Sequence, residues 1–372
     1  MLKQYKLRNY NFRLVIYVIT LTILGIMVIG SARESVQNKQ ILGLFLGAIA
    51  MICVSVMDYS FILKFSWLYY FFNIVLLLLV SVMGDNTNGS TRWIDIGGFR
   101  FQPSELSKII LILFFAYFFM KHQETLNTVK ILGLSFILAG IPLVLIKQQP
   151  DLSTTIVTAL IFIALLFIAG LSYKIVISVL AVSIPSVIIF ISLILQPDQK
   201  ILDDYQYKRI MAWLQPEKYA DAAYQQLNSK MAIGSGQLWG KGLNNSQITS
   251  VKNGNFISEP QTDFIFAIVG EELGFVGAVV VLALLFLIVL ECILMARKAK
   301  DLAGRLICCG MASLVGFQAF INVCVATGLM PNTGLTLPFV SYGLTSLVSL
   351  FIGIGFVLNV SLQPKKYGMG DT

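Results

Sequence analysis

The sequence is poor in charge, in histidine and in paired cysteines, and each scarcity removes a class of protein. Asp, Glu, Lys and Arg make up 12% of the 372 residues, about half the ~25% typical of a soluble domain. That leaves too little polar surface to cover a soluble sphere. The single histidine, His122, excludes a His-based triad and a His-rich metal site. The cysteines Cys53, Cys292, Cys308, Cys309 and Cys324 form no CxxC pair and sit inside apolar runs. They read as small buried hydrophobes, not as disulfide partners. Alternating strands of about ten residues, which a membrane barrel needs, are absent too. The formal net charge is +8. Its basic residues gather at the ends of apolar runs, where membrane topology accounts for them, so no nucleic-acid partner is expected.

What the chain has instead is hydrophobicity, at 57% of residues, in long blocks. Only helices satisfy their own backbone in lipid over such lengths, and a span takes about 20 residues. The blocks predict ten helices, near 14–32, 40–57, 61–83, 104–120, 131–147, 152–171, 174–195, 263–296, 306–329 and 342–362. The fold class is an all-α polytopic membrane protein, a single domain over 1–372. Pro185 predicts a kink in the seventh helix. The stretch from Val15 to Gly30 is long for a signal core, and Ser31-Ala32-Arg33 is a poor cleavage site, so the first block reads as a span. With the N-terminus inside, the cytoplasmic segments hold fourteen Lys and Arg and the short outer loops five, which predicts both termini in the cytoplasm.

Two outer segments stand out, 84–103 and the long loop 196–262 between helices seven and eight. The loop far exceeds an ordinary connection. Its apolar anchors, including Tyr205, Tyr207, Met211, Trp213 and Leu214, predict short amphipathic helices lying on the membrane or over a cavity.

Ionisable groups inside a membrane are costly, so each is a functional candidate. Glu105 and Lys108 are three apart on one helical face and can pair. Either they only satisfy each other, or Lys108 joins Arg100 in a positive patch suited to phosphate. Gln149 and Asp151 mark the end of helix five; Asp151 is either a cap for helix six or part of a site. Thr262-Asp263-Phe264 opens the eighth helix, where Asp263 is either a cap or a general base. That helix is longer than one span requires and carries Glu271, Glu272, Gly274 and Gly277, which predicts a break near the glycines beside a polar cavity. The Glu pair reads as structural. Two prolines and several glycines over 328–343 predict a re-entrant segment.

At these residues the chain resembles the SEDS family, which includes RodA, FtsW and SpoVE. The matching motifs are Arg92-Trp93-Ile94; Phe101-Gln102-Pro103-Ser104-Glu105 with Lys108; Gln149-Pro150-Asp151-Leu152; Ala232-Ile233-Gly234-Ser235-Gly236; Thr262-Asp263-Phe264-Ile265-Phe266 with Gly270-Glu271-Glu272-Leu273-Gly274; and Pro338-Phe339-Val340-Ser341-Tyr342-Gly343. They run in the family's order to the end of the tenth helix. The chain departs from the pattern at Ser153, Gln261 and Leu344-Thr345-Ser346. The short N-terminus and overall length fit RodA better than FtsW.

The resemblance implies a peptidoglycan glycosyltransferase of the bacterial cytoplasmic membrane. It would polymerise lipid II, the undecaprenyl-diphosphate-linked disaccharide peptide, beside a class B penicillin-binding protein that supplies the transpeptidase. Asp263 would then be the base that deprotonates the acceptor hydroxyl. Arg100 and Lys108, with a divalent metal (magnesium or manganese), would stabilise the diphosphate. Trp93 would stack on a sugar face or shape the outer cavity; Glu105, Gln149 and Asp151 complete the expected substrate site. No organic cofactor is implied. The competing function is a lipid II flippase, which needs polar groups along the whole path, whereas these candidates fall at one face.

Overall fold

The computed structural model describes residues 9–87, 90–96, 99–149, 151–178, 181, 185, 192, 204–244, 254 and 256–363. Its helices are α1 (Phe12–Ala32), α2 (Glu34–Val56), α3 (Tyr59–Leu63), α4 (Ser66–Met83), α5 (Pro103–Lys121), α6 (Val129–Gln148), α7 (Leu152–Ile168), α8 (Asp204–Leu214), α9 (Ala220–Ser235), α10 (Ile265–Lys298), α11 (Leu302–Ala326) and α12 (Leu344–Leu362). Among the described residues, seven helices are long and apolar enough to cross a membrane, and the shorter apolar helices Ser66–Val80 and Leu152–Ile168 stand beside them. These match nine of the ten expected spans. Residues 173–178 are helical; the rest of the expected span 174–195, with its Pro185 kink, lies largely outside the described residues.

Local chemistry explains the boundaries. Side-chain caps start four of the long helices: Asn11 accepts from Leu14 N, Thr128 from Ile131 N, Asp151 from Thr154 N and Asp301 from Gly304 N, each satisfying an amide that the first turn leaves open. Pro103 stands at the start of α5, where its missing N–H costs nothing. The expected third helix, 61–83, is divided: Lys64 and Phe65 form a turn between α3 and α4. The expected second helix starts earlier than 40, because Arg33, in extended conformation, is the only residue separating α1 from α2.

Burial sorts the bundle into layers. The most apolar stretches of α5, α12 and α11 are 83%, 78% and 67% buried, against 28% for α2, α6 and α10. The first three therefore form the inside of the bundle, and the others present side chains such as Phe45, Ile137 and Phe286 outward. Aromatic rings fill the space around α5: Phe114 stacks on Tyr70 at 4.4 Å, and Phe115 meets Phe162 at 4.9 Å.

One element departs from the all-helical expectation. Three short strands, β1 (Asp85–Thr87), β2 (Ser90–Ile96) and β3 (Phe99–Phe101), form an antiparallel sheet between α4 and α5. Thr87 pairs with Ser90 and Ile96 with Phe99. Asn88-Gly89 and Gly97-Gly98 lie between those pairs, dipeptides favoured in two-residue hairpins.

The expected break in the eighth span is present. Gly274 in α10 has φ 64° and ψ −164°, a backbone region that only glycine occupies readily. In an unbroken helix Phe275 N and Val276 N would bond the carbonyls of Glu271 and Glu272. Here Phe275 N donates to Gln237 O at 2.8 Å and Val276 N to Leu238 O at 3.2 Å. The two released carbonyls accept from Lys241 N and Gly242 N, each at 2.9 Å. The segment after α9 is thus spliced into the helix, and these four backbone groups keep partners. Lys241 Nζ also meets Glu271 Oε1 at 2.8 Å, and Ser31 Oγ donates to Glu272 Oε1 at 2.6 Å, a structural role for both glutamates.

Candidate functional site

The turn 261–264 ahead of α10 carries Asp263, and three elements hold it. Asn322 of α11 donates through Nδ2 to Asp263 O at 2.8 Å and to Leu335 O at 2.6 Å. Ser341 Oγ donates to Thr262 O at 2.6 Å, and Tyr342 N to Gln261 O at 2.8 Å. Gln40 of α2 locks the same corner, donating to Ser341 O and accepting from Gly343 N, both at 3.1 Å. The non-helical segment 328–343 therefore returns against the start of α10, as the glycines and prolines foretold.

Glu105 and Lys108 do pair. Lys108 Nζ lies 2.9 Å from Glu105 Oε1 and donates to Gln318 Oε1 at 3.0 Å. Gln318 in turn donates to Thr336 O and Oγ1, both at 3.0 Å. The ammonium is 1% exposed, so it ties α5 to α11 and to the 328–343 segment. It also borders a small apolar crevice lined by Leu111, Phe115, Leu143, Ile161 and Leu165. Arg100, in β3, is exposed, and its carbonyl accepts from Thr345 Oγ1 at 3.0 Å. The two cations occupy different environments, one interior and one at the surface.

Asp151 takes the capping role that was one of its two readings. It caps α7, and its Oδ2 accepts from Gln102 Nε2 at 3.3 Å. Gln149 is buried; its Nε2 donates to Leu77 O at 3.0 Å and its carbonyl accepts from Arg92 Nε at 3.2 Å. Trp93 is half-buried in β2, paired with Asp85. Pro150 lies outside the described residues. At two of the departures from the family pattern the side chain has work of its own: Ser153 donates to Thr333 O, and Gln261 Nε2 to Glu259 Oε2 at 2.5 Å.

The charges around Asp263 come from four elements. Burial pushes its carboxyl above the ordinary value; Arg209 and Arg92 pull it down, and Asp151 and Glu259 raise it. A carboxylate with raised proton affinity, beside cations that favour its charged form, has the character of a general base. Arg209, Gln318 and Asn322 did not stand out in the sequence. A signal existed for the latter two, polar residues four apart on one face of an apolar span. Arg209 sits in a charged loop and gives none.

This bundle of apolar helices, with a carboxylate at the start of α10 under the influence of two arginines, is that of an integral membrane protein. The chain belongs to the FtsW, RodA and SpoVE family of cell cycle proteins, which it matches over residues 9–366. The probable peptidoglycan glycosyltransferase FtsW of Trichlorobacter lovleyi is 31% identical over 96% of this chain and 95% of its own length. The peptidoglycan glycosyltransferase MrdB of Escherichia coli K12 is 35% identical over 80% of this chain and 79% of its own. Among solved structures, a chain of a peptidoglycan synthase complex that coordinates polymerisation and crosslinking has a TM-score of 0.76 at 28% identity, covering 95% of this chain and 97% of that one. The rod shape determining protein RodA of Thermus thermophilus has a TM-score of 0.68 at 27% identity, with 95% and 96% covered.

Proposed function

We propose that this protein is a peptidoglycan glycosyltransferase that polymerises lipid II for cell-wall elongation or division, with Asp263 as its general base. The observation that carries the reading is Asp263 itself, whose turn is held through its backbone by α11 and the 328–343 segment and whose carboxyl is raised in pKa by burial, with Arg209 and Arg92 nearby lowering it. In the reaction an acceptor sugar hydroxyl attacks the anomeric carbon of the donor. Its proton passes to Asp263 as the carbon–oxygen bond to the lipid diphosphate breaks. The diphosphate leaves as an anion, so it needs charge stabilisation more than a proton. Arg100, exposed in β3 at the same end, is assigned to that charge. Trp93 shapes the sugar site beside it, with Gln149 and Asp151 supporting the wall.

Lys108 is given a supporting part: it fixes Gln318, and through it the segment that backs Asp263. Among the described residues no three His, Cys, Asp or Glu side chains gather to hold a metal, and Asp263 faces guanidiniums. This donor set does not suit a resident divalent ion. Magnesium or manganese, where it takes part, is placed on the substrate diphosphate. The Asp263 end is taken as the outer face of the cytoplasmic membrane, with both termini in the cytoplasm. A class B penicillin-binding protein is the proposed partner, as the likeness to a synthase complex supports.

Sidedness separates this function from flipping. Reconstituted in liposomes with its transpeptidase partner and fluorescent lipid II, the protein is expected to make glycan polymer without speeding transbilayer exchange. Rapid exchange of the label with no polymer would support the flippase instead.

A further inference from the structure

We propose that Arg209 is a positioning residue for Asp263, orienting that carboxylate, so that the loop helix α8 completes the active site. This rests on the reading of Asp263 as the base. The argument begins with how α8 is seated. Arg209 and Trp213 are four apart and share one face. Trp213 Nε1 donates to Gly328 O at 3.0 Å and Arg209 Nη1 to Asn332 O at 3.3 Å. Both bonds grip the 328–343 segment, the one that backs Asp263. The neighbouring helix α9 is clamped to the same region: Gln226 Nε2 donates to Val325 O at 2.8 Å and Met330 O at 2.6 Å, and Ser229 Oγ to Ala326 O at 2.7 Å. The loop helices are therefore fixed to the end of α11, whose Asn322 holds the Asp263 backbone.

Gly334 marks the space that the two charged groups share. A Cβ at this position would lie 3.4 Å from Asp263 Oδ2 and 3.7 Å from Arg209 Nη1. Its φ of +75° is also one that side chains resist. The groups facing Asp263 are Arg209 from α8, Arg92 from β2, Asp151 from the start of α7 and Glu259 from the turn before it. Of the two cations, Arg209 acts on the carboxylate more strongly, and its bond to Asn332 O restrains the guanidinium. A loop helix that the fold could treat as a cover thus delivers a side chain to the reacting centre.

The test is the pH dependence of glycan polymerisation by the full chain with its transpeptidase partner and purified lipid II. Wild type is compared with Arg209→Met, Arg209→Lys, Trp213→Phe and Asp263→Asn. Removing a cation this near a carboxylate raises its pKa by about one unit or more. The acid limb of the rate profile should therefore move up by about one unit in Arg209→Met, with kcat lowered and KM little changed. Arg209→Lys should return the limb toward wild type. Trp213→Phe, which loosens α8 without altering charge, should move the limb the same way as Arg209→Met, and it serves where that variant does not fold. Unmoved acid limbs in Arg209→Met and Trp213→Phe, with Asp263→Asn inactive, would overturn the role of Arg209 and leave the base intact. Wild-type rates in Asp263→Asn would instead remove the base, and the inference with it.

Discussion

Lys108→Met is expected to lose stability and activity together. The Lys108 ammonium is 1% exposed and Glu105 is 5% exposed, so the variant leaves a carboxylate in the bundle without a counter-charge. Breaking a buried pair by removing one partner costs about 3–5 kcal/mol, whereas replacing both partners is often neutral. Gln318 Oε1 also loses its donor, and with it the restraint on Thr336. Melting in detergent should fall by several degrees or more, and polymerisation should fall with it. The double variant Glu105→Gln/Lys108→Met should recover most of the melting temperature. If Lys108→Met keeps the wild-type melting temperature but makes no polymer, Lys108 acts on substrate directly and the supporting role assigned to it is wrong.

The second large effect is expected at Gly274→Val. The glycine's backbone angles lie in a region costing other residues about 1–3 kcal/mol, and a β-branched side chain fits it worst. A Cβ there would also lie 2.3 Å from Gly240 N and 2.7 Å from Leu238 O, where backbone cannot yield cheaply. The splice between residues 237–242 and α10 must open, releasing four backbone hydrogen bonds. Amide exchange should rise at Phe275, Val276, Lys241 and Gly242, and proteolysis should begin near 236–244. Activity should fall as well, because α9, which α8 and the 328–343 segment adjoin, loses its attachment to α10. Unchanged exchange at Phe275 and Val276 would show that the helix closes without the splice.

These two sites also mark what could be read in advance. The break at Gly274 was legible because an apolar run longer than a span, interrupted by glycines and glutamates, has few other solutions in lipid. The Glu105–Lys108 pair was legible from helical spacing. Its burial was not, because Gln318 lies 210 residues away and only the bundle brings it there. The β-sheet was signalled by Asn88-Gly89 and Gly97-Gly98, but strands of three to seven residues are faint beside membrane helices. The Glu291–Asn11 bond of 2.7 Å within the bundle pairs side chains 280 apart, which no local pattern announces. The candidate site followed the same division. Asp263 was found because it stands where a loop meets a span. Arg209 was not, since a cation in a charged loop looks solvated until the fold turns it inward.

The central claim, that Asp263 is the base of a polymerising glycosyltransferase, is tested most directly by one comparison. Glycan chains are measured from purified lipid II with the partner transpeptidase present, for wild type beside Asp263→Asn of equal melting temperature. General base catalysis contributes about 10²–10⁴-fold, so the account predicts polymer from the wild type and a loss of that order in the variant. Equal polymer from both would contradict it.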